Sequence, residues 1–356
     1  MTDFESIIDQ KQPIGILTTL LSSENIPHAL LFTGIEGVGK HTAAVTFAMA
    51  CNCTGLDSGQ LSEYETHSLG AILQEKKQSA PGIPCGCCRS CKKIQSDSHP
   101  DILSIRPTGS FIKIDQIRAL YQTLTMKPYE AKYRVVIMSD AQRLNSAASN
   151  AFLKILEEPP DRTVLILIAD KKSDLLQTVV SRCQQIRFNP ISRKILSAML
   201  AEKEGKHPED AFVLATMSKG SLSKALSMSR TDWIGHRNWL IKAIGLDQRE
   251  LVESKPTGLL FSISAQLSVN RDALEDTLET IKSWLRDLII FKYQPEKIIH
   301  QDIANKVENV SNKFTIPSLL HKIEAVQSAQ LMIQRPNANV KLSLDILMQK
   351  LTEAVT

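Results

Sequence analysis

The chain is expected to begin as a doubly wound α/β domain and to end as an all-helical region. Three observations predict this. Short β-branched apolar runs alternate with helical segments up to about residue 190, the pattern of strands buried in a parallel sheet. Strand signals vanish beyond that point. A Gly-rich turn, Gly34-Ile-Glu-Gly-Val-Gly39-Lys40, lies between the first strand and the first strong helix of that pattern.

The expected strands are 29–33, 102–105, 133–139 and 164–169, with helices over 40–50, 114–125 and 146–156. Alternation of this kind argues a doubly wound sheet. Residues 191–229 read as short helices with a turn at Lys219-Gly220. Further on, Leu274, Leu278, Ile281, Leu285 and Leu288 recur at spacings of four and three, an apolar stripe on one helix face. Leu344, Leu347, Met348 and Leu351 repeat the pattern after a break at Arg335-Pro336-Asn337. Each stripe suits an internal core or an assembly surface. The polar stretch 54–82 reads as a long loop.

Composition narrows the class. Apolar residues make up 43% and aromatics only 5%, which suits aliphatic helical packing better than a β-sandwich. The N-terminus shows no secretory pattern, and no apolar run approaches the length of a membrane span, so a cytoplasmic location is expected. A net charge of +4 is too small to argue nucleic-acid binding by itself.

The glycine turn has the context a phosphate loop requires, a strand before it and a helix after it. Gly34, Gly37 and Gly39 let backbone N–H groups curl around phosphate oxygens, and Lys40 reaches the β/γ-phosphates. The residue after the lysine should be Ser or Thr, whose hydroxyl ligates Mg²⁺. Here it is His41, and Thr42 comes one residue late, about 100° further round the helix. The run 134–140 is an apolar strand ending in Asp140, the expected second metal anchor. The next residue, where ATPases with an acidic pair carry a water-orienting glutamate, is Ala141. ATP binding is left open by these residues, and hydrolysis is expected near background.

Six of the seven cysteines cluster. Cys85, Cys88 and Cys91 form two overlapping C-x-x-C steps, and Cys53 lies upstream. Four thiolates would complete a tetrahedral Zn²⁺ site with no open position, hence structural. Cys51 is an alternative to Cys53. Cys87, adjacent to Cys88, is sterically poor.

Together with Asn150-Ala-Phe-Leu-Lys-Ile-Leu-Glu-Glu-Pro-Pro160, Ser181-Arg182-Cys183, Ile26-Pro-His-Ala-Leu30 and His99-Pro-Asp101, these motifs closely resemble the bacterial DNA polymerase III clamp loader, a family of AAA+ proteins. The likeness covers about the first 190 residues and is looser in the tail. It implies an AAA+ α/β domain over 1–190 with a zinc module at about 51–98, a helical lid over 191–232, and a helical collar over 233–356 that closes a five-subunit ring. The implied partners are the gamma/tau motor subunits and the delta subunit, with the sliding clamp and primed DNA reached through the complex and no membrane. His41 and Ala141 depart from the motor pattern, as do Asp170 after the strand 164–169 and Ser223 in Gly220-Ser-Leu-Ser. An acidic Asp170 would repel a γ-phosphate. The resemblance therefore implies a subunit without hydrolysis of its own, with Arg182 acting catalytically in trans on a neighbour's ATP. The alternative is a self-sufficient ATPase of the gamma/tau type using Thr42 and Asp140.

Overall fold

The computed structural model describes residues 4–23, 25–55, 83–244, 264, 265, 267, 268, 271–335 and 338–352. Of the expected loop at 54–82, residues 56–82 lie outside the described residues, as do Pro336 and Asn337 of the expected helix break. The chain forms two compact units, Met1–Ser192 with Ser221–Ser223, and Arg193–Gly220 with Lys224–Thr356.

The first unit is built on five parallel strands: β1 (Ala29–Thr33), β2 (Ile102–Ile105), β3 (Arg134–Met138), β4 (Thr163–Ala169) and β5 (Gln184–Arg187). Their order is β2-β3-β4-β1-β5. The strands alternate between two apolar layers, as the period of two demands. Leu30 and Phe32 of β1, Val135 and Ile137 of β3, and Val164, Ile166 and Ile168 of β4 enter one core. Leu31, Val136, Met138, Leu165 and Leu167 enter the other. Both faces of β3 and β4 are buried throughout, so these strands read as unbroken apolar runs.

Helices cover both faces: α1 (Lys11–Ser22), α2 (Lys40–Asn52) and α3 (Arg89–Gln95) supply residues to the first core, and α4 (Ile114–Thr125), α5 (Ser146–Glu157) and α6 (Gln177–Val180) to the second. Their starts are set locally. The Asn145 side chain accepts the Ala148 amide at 2.7 Å to cap α5, and the Lys113 amide donates to the Gln116 side chain at 3.0 Å ahead of α4.

The second unit is helical among the described residues. It contains α7 (Arg193–Lys203), α8 (Pro208–Met217), most of α9 (Leu222–Arg230), α10 (Trp233–Ala243), α11 (Arg271–Phe291), α12 (Ala304–Ser311), α13 (Ile316–Ile333) and α14 (Val340–Thr352). Both leucine-rich stripes of the sequence fall in one buried core, Leu274 to Leu288 on α11 and Leu344 to Leu351 on α14. Several polar groups inside it are paired, while the buried Trp284 indole N–H has no hydrogen-bond partner. Arg237, fully buried, forks onto both oxygens of Asp302 and approaches His300 Nδ1 at 3.3 Å. His300 Nε2 lies 3.1 Å from the Ser283 hydroxyl; burial first, then the Arg237 charge, lowers its pKa to about 3, so the ring stays neutral. Lys322, also buried, donates to the Leu351 carbonyl at 2.6 Å and caps the end of α14. Among the described residues no helix is long and apolar enough to cross a membrane.

Candidate functional sites

Helix α2 joins two sites, because the glycine turn leads into its first residue, Lys40, and Cys53 follows its last, Asn52. At the turn, Gly34, Gly37 and Gly39 have φ of 147°, 79° and 97°. Two of them are required by close approach as well. A Cβ at Gly34 would stand 2.5 Å from the Phe188 carbonyl oxygen, and one at Gly37 would strike the hydroxyls of Ser221 and Ser223. The Leu222 amide donates to the Gly37 carbonyl at 2.9 Å, which fixes that segment against the turn.

Lys40 is 6% exposed. Its ammonium donates to the Gly34 carbonyl, to the Ile35 carbonyl at 3.2 Å and to Asp170 Oδ1 at 2.9 Å. Sheet register puts the carboxylate there. Thr33 pairs with Ala169 across β1 and β4, and the Gly34 amide continues the ladder to the Asp170 carbonyl at 3.1 Å. The sequence motifs set Asp170 against a phosphate. Its partnership with Lys40 depends on the β1–β4 register and carries no sequence signal of its own.

The other expected nucleotide residues take no part in the bonds of this pairing. His41 is exposed, Thr42 is half-buried, and Ala141 is fully buried at the end of β3. Asp140 is exposed, holds a left-handed backbone with φ of 52°, and accepts from the Gln142 side chain at 3.4 Å. Lys224 pairs with Asp276 of α11.

At the other end of α2, four thiols converge. The sulfurs of Cys53, Cys85, Cys88 and Cys91 all lie within 4.8 Å of one another. Backbone amides point into the cluster: Cys85 N–H on Cys53 Sγ at 3.3 Å, Cys88 N–H on Cys85 Sγ at 3.3 Å, and Cys91 N–H on Cys88 Sγ at 3.4 Å. Burial alone would raise the Cys88 thiol, yet the Cys91 amide and Thr54 outweigh it and bring the pKa to about 6. Such a donor set, four soft sulfurs within reach of one point, fits a tetrahedral cation such as Zn²⁺. Cys51 stands outside the cluster, with its thiol pushed up to about 12 by burial, and Cys87 is exposed. Cys183 is buried elsewhere.

The cluster is tied to the sheet. Asn52 clasps Tyr133 in both directions, each bond 2.9 Å, so the residue before Cys53 is fixed at the start of β3. His99-Pro-Asp101 is only a family marker in the sequence, but in the fold Asp101 organises a loop. Buried, it accepts the amides of Tyr129, Glu130 and Ala131 at 2.8, 2.8 and 2.9 Å. Burial by itself would raise its pKa; those three bonds, with Arg134 at 3.5 Å, hold it below the usual carboxylate range.

Arg182 follows α6 and is exposed. Its guanidinium donates to the Thr178 carbonyl at 2.9 Å and to Glu157 Oε1, of the Glu-Glu-Pro-Pro segment, at 2.7 Å.

Comparison with known proteins agrees with this arrangement. A family model described as DNA polymerase III, delta subunit, matches residues 9–192, and one described as DNA polymerase III, delta subunit, C terminal, matches residues 248–353. DNA polymerase III subunit delta' of Bacillus subtilis is 28% identical over 97% of this chain and 96% of its own length. That of Haemophilus influenzae is 27% identical over 93% and 95%. The tau subunit of Bacillus subtilis reaches 30% identity, but over 63% of this chain and 37% of its own length.

Proposed function

This chain belongs to the DNA polymerase III delta subunit family, and from that membership we propose that it is a delta-prime-type, non-hydrolysing member of a clamp loader. In this reading it lends Arg182 in trans to the ATP site of a neighbouring motor subunit. The observation that carries the reading is Ala141, a fully buried methyl group after the β3 aspartate where a hydrolysing relative needs a carboxylate. His41 in place of the metal-binding hydroxyl points the same way. Hydrolysis rests on positioning and electrostatics, and both contributions are lost together. The match to delta' relatives along nearly the whole chain, against a match to tau over its front part, supports the same subunit type. A self-sufficient gamma/tau-type ATPase is disfavoured on these grounds.

Arg182 suits a trans role because it is exposed and planar, and its charge does not depend on pH. Glu157 and the Thr178 carbonyl hold it ready. Zn²⁺ held by Cys53, Cys85, Cys88 and Cys91 would serve structure only, since four sulfurs fill its coordination. Residues 191–232 act as the lid and 233–356 as the collar in this reading. Leu331, Leu342 and Ile346 stay exposed on the last two helices and offer apolar surface for ring contacts. The partners are gamma/tau and delta subunits, with the sliding clamp and primed DNA engaged through the complex.

The test is a reconstituted loader carrying Arg182→Ala. Assembly should survive. One motor site should lose on the order of 10³–10⁵ in hydrolysis rate, so total ATPase falls in part while clamp loading falls more steeply. Arg182→Lys should be nearly as damaging. Normal clamp loading by an intact Arg182→Ala complex would refute the trans role.

A further inference from the structure

We propose that Asp170 is the resident anion of the phosphate loop, a specificity-determining residue that keeps nucleotides out of it. The inference stands on the loop alone and holds whether or not Arg182 works in trans.

An ammonium has three N–H donors. In Lys40 they face three acceptors of the chain itself: the Gly34 carbonyl, the Ile35 carbonyl and Asp170 Oδ1. The donor that a phosphate loop offers to a β- or γ-phosphate is thus satisfied from within. Lys40 itself is buried, 6% exposed, and its charge is matched by the solvent-facing carboxylate of Asp170 at 2.9 Å.

The backbone of Asp170 is held in place, although its carboxylate is 47% exposed. The residue directly follows Ala169, which is paired with Thr33, and its own carbonyl accepts the Gly34 amide at 3.1 Å. A polyphosphate entering the loop would have to take Lys40 from Asp170 and then lie beside the displaced carboxylate. Like charges in such proximity repel strongly. A neutral side chain of the same shape would impose neither penalty.

A second observation supports closure. The loop is braced from outside by Ser221–Ser223, with the amides of Leu222 and Ser223 on the Gly37 carbonyl at 2.9 and 3.4 Å. Both hydroxyls crowd the position a Cβ of Gly37 would take. This contact fixes the Gly37 peptide. The turn keeps the shape of a phosphate loop while its cation serves as an internal tie between β1, α2 and β4.

The experiment titrates the full-length chain with ATP, ADP and inorganic triphosphate by calorimetry. Wild type and Asp170→Glu, which keeps the charge, should bind none of the three measurably. Asp170→Asn should bind measurably, at least about tenfold more tightly than the upper limit set for wild type, given the removed repulsion. Adding Lys40→Met to Asp170→Asn should abolish the gain, which ties it to the loop. Because the key result is a gain, misfolding cannot imitate it. Two outcomes overturn the proposal. One is wild-type binding that depends on Lys40 and is unchanged by Asp170→Asn. The other is an Asp170→Asn chain with wild-type circular dichroism and melting temperature that still binds nothing.

Discussion

The two ends of α2 solve opposite problems. At its start, a tight turn surrounds a cation, Lys40, and the chain supplies the matching anion, Asp170. At its end, amides and turns surround four thiols, and no residue of the cluster supplies a matching cation. One end is electrically complete and the other calls for a partner from solution. The difference teaches that a ligand motif is read from what remains unpaired after folding, more than from the residues that spell it. The phosphate loop is spelled by its glycines and lysine, yet its lysine is satisfied from within. The cysteine cluster is arranged so that it could hold a metal.

The largest expected effect lies at the incomplete end. Metal analysis should find about one zinc per chain, since a Cys₄ site satisfies one ion. Cys88→Ser should lose it together with much of the stability around β2 and α3, because structural zinc sites contribute on the order of 10 kcal/mol. Cys51→Ser and Cys87→Ser should retain the metal. Zinc lost from Cys51→Ser but kept by Cys53→Ser would break the assignment of the cluster.

An intermediate effect is expected where the incomplete end is fastened to the sheet. Asn52→Ala removes both bonds to Tyr133 and should cost about 2–3 kcal/mol in chemical denaturation. It should also weaken zinc retention against a chelator, since Cys53 is the next residue. A variant as stable as wild type would separate the cluster from the sheet and remove the mechanical half of the comparison.

The smallest effect belongs to the complete end. Exchanging both partners, Lys40→Met together with Asp170→Asn, replaces the internally paired charges with neutral side chains of similar length, an exchange that is often near neutral. A change in stability within about 1 kcal/mol is expected. A loss as large as that from Cys88→Ser would mean the two ends are equally dependent on charge.

How much of this was legible in the sequence depended on the range of the interactions. Strands β1 to β4 showed themselves because both of their faces are apolar or nearly so. Strand β5 did not: of Gln184–Arg187 only Ile186 is buried, as befits an edge. Helix α1 was hidden by Pro13 and Gly15, and α3 by its place among the cysteines. Both leucine-rich stripes were visible, yet only packing assigned them to one core. The four thiols were legible because C-x-x-C spacing is local. The fourth ligand stayed open between Cys51 and Cys53 until the chain direction at the end of α2 was known. The Lys40–Asp170 pair, 130 residues apart in sequence, was not legible, since strand register creates it.

The parallel sheet has one more consequence, a direction. Gly34 leaves β1 at the carboxyl end of the strands. Arg182 precedes β5, whose first residue Gln184 pairs with Leu30 near the opposite end of β1. Between Leu30 and Gly34 lie four steps along a strand, roughly 13 Å. Arg182 therefore lies toward the amino end of the strands and the phosphate loop at their carboxyl end. In the proposed trans role, contact through these two surfaces would be head-to-tail. A ring assembled in that role would have a handed order, in which each neighbour is either upstream or downstream.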